Sequence, residues 1–147
     1  MAMNDIRPTR LLLPGLSAGL VILIGEYVLN AMVLAEPWAE LRRTFGIEEA
    51  GSAQLVGGGL LTILYGVVLM WMFASMRASF RTDFGAAIAA AMTFWLIAYV
   101  MFLLSVWANG FVTLPIALVS IAWGFFEAPL AAVIGTAIYR KRWRSTA

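Results

Sequence analysis

The chain contains neither cysteine nor histidine in its 147 residues. Their absence removes disulfides, thiolate nucleophiles, imidazole metal ligands and imidazole acid–base catalysis together. Charge is also scarce. Asp, Glu, Lys and Arg make up 12% of the residues, about half of what a soluble domain carries. No nucleophile–base pair is recognisable among the remaining carboxylates and hydroxyls, so the chain reads as a non-enzyme without cofactor or metal. What fills the space is apolar: hydrophobic residues reach 63%. A domain this small would leave much of that surface in water, whereas a bilayer serves as its solvent.

Four apolar stretches stand out, at roughly 11–34, 55–76, 84–107 and 113–139. Each has about 20 residues or more, enough at 1.5 Å rise per residue for the ~30 Å hydrocarbon core. Backbone groups in lipid must be bonded internally, so each stretch is expected to be a helix. The breaks are polar (36–52 and 77–83) or a tight turn (Ala108, Asn109, Gly110). Short connections make consecutive helices antiparallel neighbours. The expected fold is all-α, a polytopic membrane protein built as an antiparallel bundle of four transmembrane helices in a single domain.

Basic residues orient it. Arg7 and Arg10, Arg77 and Arg81, and Arg140, Lys141, Arg142 and Arg144 fall on one side. The other side holds only Arg42 and Arg43, diluted by Glu36, Glu40, Glu48 and Glu49. The excess of basic residues in cytoplasmic segments then places both termini in the cytoplasm and the chain in a cell (inner) membrane. Trp38, Trp71, Trp107 and Trp143 fall near expected helix ends, where indole rings favour the interface. The basic segment 140–147 reads as a cytoplasmic anchor rather than a nucleic-acid site. Arg exceeds Lys nine to one, and Ala and Gly are abundant, a composition that points to a GC-rich bacterial genome. The first apolar run is read as a span rather than a cleaved leader, because it is long and Glu26 interrupts it. In the extracytoplasmic loop 36–52, Pro37 opens a short segment in which Trp38, Leu41 and Phe45 recur at helical spacing. That pattern predicts an amphipathic helix at the membrane surface.

Small and polar residues form stripes on each span. On the first, Gly15, Gly19, Glu26 and Asn30 fall within about 60° of arc at 100° per residue. Ser120, Gly124, Glu127, Ala131 and Gly135 form a similarly narrow stripe on the fourth, within about 80°. Gly58, Thr62 and Gly66 mark the second span, and Ala86, Ala89, Ala90 and Thr93 the third. Small residues at this spacing let helices approach closely, so the stripes predict the internal faces.

The first and fourth stripes each contain an acid. A carboxylate at mid-span costs about 2.5–3.5 kcal/mol on insertion scales, and no Lys or Arg lies within any span to offset it. Either carboxyl is then protonated and hydrogen-bonded, or the pair shares one proton, or they hold a cation. The candidate ion, proton or substrate site is Glu26, Asn30 and Glu127. Thr62, Tyr65, Thr93, Tyr99 and Ser120 are candidate hydrogen-bonding supports. Pro129 is a candidate helix bend that would free the carbonyl of Phe125 beside Glu127.

The four-helix layout resembles that of small bacterial four-helix membrane proteins. Glu26, within Ile24-Gly25-Glu26-Tyr27 on the first helix, is also similar to the membrane-embedded glutamate of small multidrug-resistance exporters. That resemblance implies binding of protons and cationic solutes at Glu26. It covers one helix and one residue type, and it supplies neither the long first loop nor Glu127. Two functions are therefore expected. One is a proton- or cation-coupled transporter or channel-like protein that uses intramembrane carboxylates. The other is a structural or accessory protein that binds a partner or lipid through its small-residue faces. The expected partners are the lipid bilayer, a proton or cation and, as a homo-oligomer, further copies of the chain, with no nucleic acid.

Overall fold

The computed structural model describes residues 8–144, with side chains described from 10 to 141. Arg7 and the side chains of Arg142, Trp143 and Arg144 lie outside the described residues.

Six helices follow one another, and there is no strand among the described residues. They are α1 (Pro8–Val28), α2 (Ala35–Phe45), α3 (Ser52–Met76), α4 (Asp83–Trp95), α5 (Phe102–Ala108) and α6 (Leu114–Arg144). Two of them are prolonged by wider π-helical turns. Leu29–Val33 continues α1, and Leu96–Met101 joins α4 to α5 as one rod, Asp83–Ala108. Four helical rods are long and apolar enough to cross a membrane: Arg10–Val33, Ser52–Ser79, Asp83–Ala108 and Leu114–Lys141. The chain is thus an all-α bundle of four such rods. α1 packs between α3 and α6, and α4 packs on α3 and α6, which closes the ring. One end of the bundle carries α2. The other carries Arg77 and Arg140, whose Nε atoms lie 2.7 and 3.6 Å from the two carboxylate oxygens of Asp83.

The internal faces are made by small residues, for a steric reason. A Cβ on Gly15 would stand 2.8 Å from Val67 Cα, and one on Gly19 would stand 2.7 Å from Ile63 Cα. A Cβ on Gly66 would run into the backbone of Gly19. α1 and α3 therefore meet backbone to backbone, an approach that only glycine allows. Ala86, Ala87, Ala90 and Ala91 of α4 and Ala128, Ala131 and Ala132 of α6 close the other side of the same core around Ile22, Leu69, Met70 and Phe73.

The expected stripe on the second span holds only in part. Gly66 is buried, but Gly58 points into open space. On the half of α3 nearer α2, Gly59 still faces Leu23 of α1, while Leu55, Val56, Leu60 and Leu61 are all exposed. This contrast gives a stability test. Gly66→Ala should lose about 1–3 kcal/mol by overpacking, whereas Gly58→Ala should be neutral or slightly stabilising, since alanine is the better helix former. Equilibrium unfolding of the purified protein in mixed micelles measures both.

α2 ends where Gly46, at φ 63°, adopts the left-handed conformation, and Ile47 N–H returns to the Arg42 carbonyl at 3.0 Å. Its apolar face is spent partly on the bundle itself. Trp38 and Leu41 pack against Leu29, Leu34, Val112, Ile116 and Ala117, while Phe45 stays exposed. α2 is therefore a cap over the ends of α1 and α6, anchored by two side chains.

Candidate functional site

The two intramembrane acids converge on one hydroxyl. Tyr99 projects from the π-helical turn between α4 and α5 into the bundle, where 7% of its surface is exposed. Its Oη lies 3.0 Å from Glu26 Oε1 on α1 and also contacts Glu127 Oε2 on α6. Glu127 is 6% exposed, so neither lipid nor bulk water reaches its carboxyl freely, whereas Glu26 is half-buried.

The outer oxygens of both carboxyls are held as well. Trp123 lies one turn before Glu127 on α6, and its indole N–H donates to Glu127 Oε1 at 3.2 Å. On the other side, Asn30 Nδ2 donates to Glu26 Oε2 at 2.8 Å and to the Glu26 backbone carbonyl at 2.8 Å. Trp38 on α2 donates its indole N–H to Asn30 Oδ1 at 2.8 Å. An indole N–H only donates, so Asn30 must present its carbonyl to Trp38 and its NH₂ group to Glu26. A continuous hydrogen-bonded chain thus runs Trp38–Asn30–Glu26–Tyr99–Glu127–Trp123, from the cap helix to the middle of the bundle.

Local backbone features make room for it. Asn30 and Tyr99 both sit in π-helical turns, which add a residue to the turn and re-aim the side chains that follow. Leu34 N–H reaches back five residues to the Leu29 carbonyl at 2.8 Å, and the Asn30 side chain takes up the Glu26 carbonyl within the same widening. Two glycines leave space for the polar groups. A Cβ on Gly25 would collide with Glu127 Oε1, and one on Gly124 would enter the Tyr99 ring. Trp38→Phe removes the donor that orients Asn30 and should cost about 1 kcal/mol, the net contribution of one such bond. A lowered melting temperature with unchanged helix content would record it.

The expected site residues divide clearly. Glu26, Asn30, Glu127 and Tyr99 are brought together. Thr62 and Thr93 instead donate to carbonyls of their own helices, Gly58 at 3.0 Å and Ala89 at 2.9 Å. This is the local bonding that hydroxyls adopt when no partner lies across the helix. Tyr65 is exposed, and its ring meets the edge of Phe94 rather than a carboxyl. Ser120 is buried on α6, about two turns from Glu127 toward the α2 end. α6 continues as α-helix through Pro129. Trp38, Trp123 and Gly25 belong to the site although the sequence pattern did not assign them to it. The spacing of four between Trp123 and Glu127 was the available signal.

Two carboxyls and a phenol are a small donor set. Among the described residues no third His, Cys, Asp or Glu joins them as a potential metal ligand. Hard divalent cations take six or more oxygens, whereas a proton needs only two. Comparison with protein-family models, with curated proteins and with solved structures finds no match to this chain.

Proposed function

We propose that this chain is a small bacterial inner-membrane protein that binds and passes protons at a site built from Glu26, Tyr99 and Glu127, as a proton-coupled transporter or channel-like protein. The observation that carries this reading is the meeting of two acids from opposite ends of the sequence on one buried hydroxyl, with no basic residue in any span. Intramembrane acids are expensive to insert, and the interhelical bonds they form return on average only ~0.6 kcal/mol each. Packing alone is a poor reason to keep two of them. The half-buried Glu26 is the end of the site nearer α2, and Glu127 is the deep end. Beyond Glu127 the internal face of α6 is alanine and glycine (Ala128, Ala131, Ala132 and Gly135) as far as Thr136, whose buried Oγ1 has no hydrogen-bond partner. The arrangement reads as a site closed toward the basic end, reached from the α2 side. The distribution of Arg and Lys supports an orientation with the basic end and both termini in the cytoplasm.

The test is reconstitution into vesicles that enclose a pH-reporting dye. Under an imposed pH gradient and membrane potential, the wild-type protein should move protons faster than empty vesicles, and Glu26→Gln should return the rate to background. Wild-type vesicles that match empty ones under every gradient would overturn the reading.

A second reading has its own observation. The glycine faces of α1 and α6 are consumed inside the bundle, but the face of α3 that carries Gly57 and Gly58, with nothing within 4 Å of either, remains uncovered. An accessory protein would bind a partner helix or a second copy there. Crosslinking from Gly57→Cys in native membranes tests it, and only monomer would count against it.

A further inference from the structure

We infer that Glu26 and Glu127 hold one proton between them and that the Tyr99 hydroxyl relays it from one to the other. This rests on the proton-handling reading above, but it follows from counting hydrogens at named atoms. Glu26 Oε2 is committed as an acceptor, because Trp38 fixes the Asn30 amide so that its NH₂ group faces that oxygen. Glu127 Oε1 is committed too, since its partner is the donor-only indole of Trp123. The two remaining carboxyl oxygens, Glu26 Oε1 and Glu127 Oε2, both meet Tyr99 Oη. A hydroxyl holds one hydrogen, so Tyr99 can donate to only one of them. The other contact needs a hydrogen from the carboxyl itself. With no such proton, two carboxylates compete for a single O–H. With two, either one proton occupies an oxygen that already accepts from Asn30 or Trp123, or both acids donate to the Tyr99 oxygen and its own hydrogen is left without an acceptor. One proton satisfies every bond.

Two arrangements are then equivalent in their bonding. In the first, Glu26 is the acid: its Oε1–H donates to Tyr99 Oη, and Tyr99 donates to the Glu127 carboxylate. In the second, Glu127 Oε2–H donates to Tyr99, which donates to the Glu26 carboxylate. The step between them breaks the O–H bond at Glu26 and forms one at Tyr99, while the original Tyr99 O–H breaks and one forms at Glu127 Oε2. One proton moves inward, one negative charge moves outward, and Tyr99 ends neutral. Among the described residues, the charged or titratable groups facing this unit are its own three members. α3, packed on α1, carries no charged residue from Ser52 to Met76, and the spans of α1 and α6 carry no other acid.

Infrared spectroscopy of the purified protein in lipid vesicles tests this without any transport measurement, by counting the carboxylic C=O stretches that persist at a pH where exposed acids are ionised. The wild type should show one protonated carboxyl per chain. Glu26→Gln and Glu127→Gln should each show none, because the glutamine NH₂ supplies the hydrogen that the acid supplied and the net charge of the unit stays the same. Adding Tyr99→Phe to Glu26→Gln should restore one, since the ring no longer donates to Glu127. Two independent acids would instead give two bands in the wild type and one in each glutamine variant. A proton held by Glu127 alone would give one band in Glu26→Gln. Either pattern overturns the shared proton, as does a Tyr99→Phe change that leaves every count unaltered. The expected counts without proton flux in vesicles would leave the shared proton standing and refute the transport reading instead.

Discussion

Gly25→Leu is expected to be the most destabilising of the substitutions considered, at about 3–5 kcal/mol, because overpacking is joined by loss of polar partners. The position where its Cβ must go is occupied by Glu127 Oε1. Either α1 and α6 separate along the face they share, or the Glu127 side chain leaves its place. If the carboxyl leaves, it gives up the indole of Trp123 and the hydroxyl of Tyr99, so the half-buried indole loses its acceptor and Tyr99 keeps only Glu26. Gly57→Leu is the matched control. Nothing lies within 4 Å of Gly57, so it should stay within about 0.5 kcal/mol of wild type, as surface substitutions do. Unfolding of both variants in mixed micelles separates the requirement for space at Gly25 from any general intolerance of leucine for glycine.

Glu127→Gln should leave the fold within about 1 kcal/mol of wild type and remove proton movement altogether. Glutamine keeps the shape, accepts from Trp123 and offers hydrogens to Tyr99, so the bonding survives. It also escapes part of the 2.5–3.5 kcal/mol that an acid at mid-span costs on insertion scales, against a single interhelical bond, to Tyr99, at ~0.6 kcal/mol on average. A purely structural glutamate would therefore be replaced by glutamine at no loss of any kind. What glutamine cannot do is take up and release a proton. Flux into vesicles, measured beside the melting temperature of the same preparation, should show the two properties part company. A variant that moves protons as fast as wild type would show that Glu127 is not on the path.

Hydropathy and the small-residue stripes were enough to read four long apolar helices, and they also indicated which face of α1 and α6 turns inward. Those features are local, because a helix face is set by residues three and four apart. The acids announced themselves by their cost in an apolar stretch. What the sequence could not place was the partner between them. Tyr99 stood among five possible hydrogen-bonding supports, and it reaches both acids because a π-helical turn at Leu96–Met101 re-aims it. Thr62 and Thr93 were equally eligible by spacing, but each found a carbonyl in its own helix. Trp38 fell under the expectation of an interfacial aromatic, yet it reaches over the bundle to Asn30. Trp123 was legible by its spacing from Glu127, and Gly25 only through the carboxyl packed against it. Longer-range geometry decided each case: the widened turns, the close approach of α1 to α6, and the cap formed by α2.

The central claim is that Glu26 and Glu127, far apart in sequence, act as one unit through the Tyr99 hydroxyl. A double-mutant cycle measures this most directly, using the unfolding free energies of Glu26→Gln, Glu127→Gln and the pair, first with Tyr99 present and then in a Tyr99→Phe background. The two acids should be coupled by about 0.5–3 kcal/mol, the range for residues in one hydrogen-bonded network, and the coupling should fall to near zero with phenylalanine at position 99. Additive effects with the tyrosine in place, or a coupling that phenylalanine leaves unchanged, would contradict it.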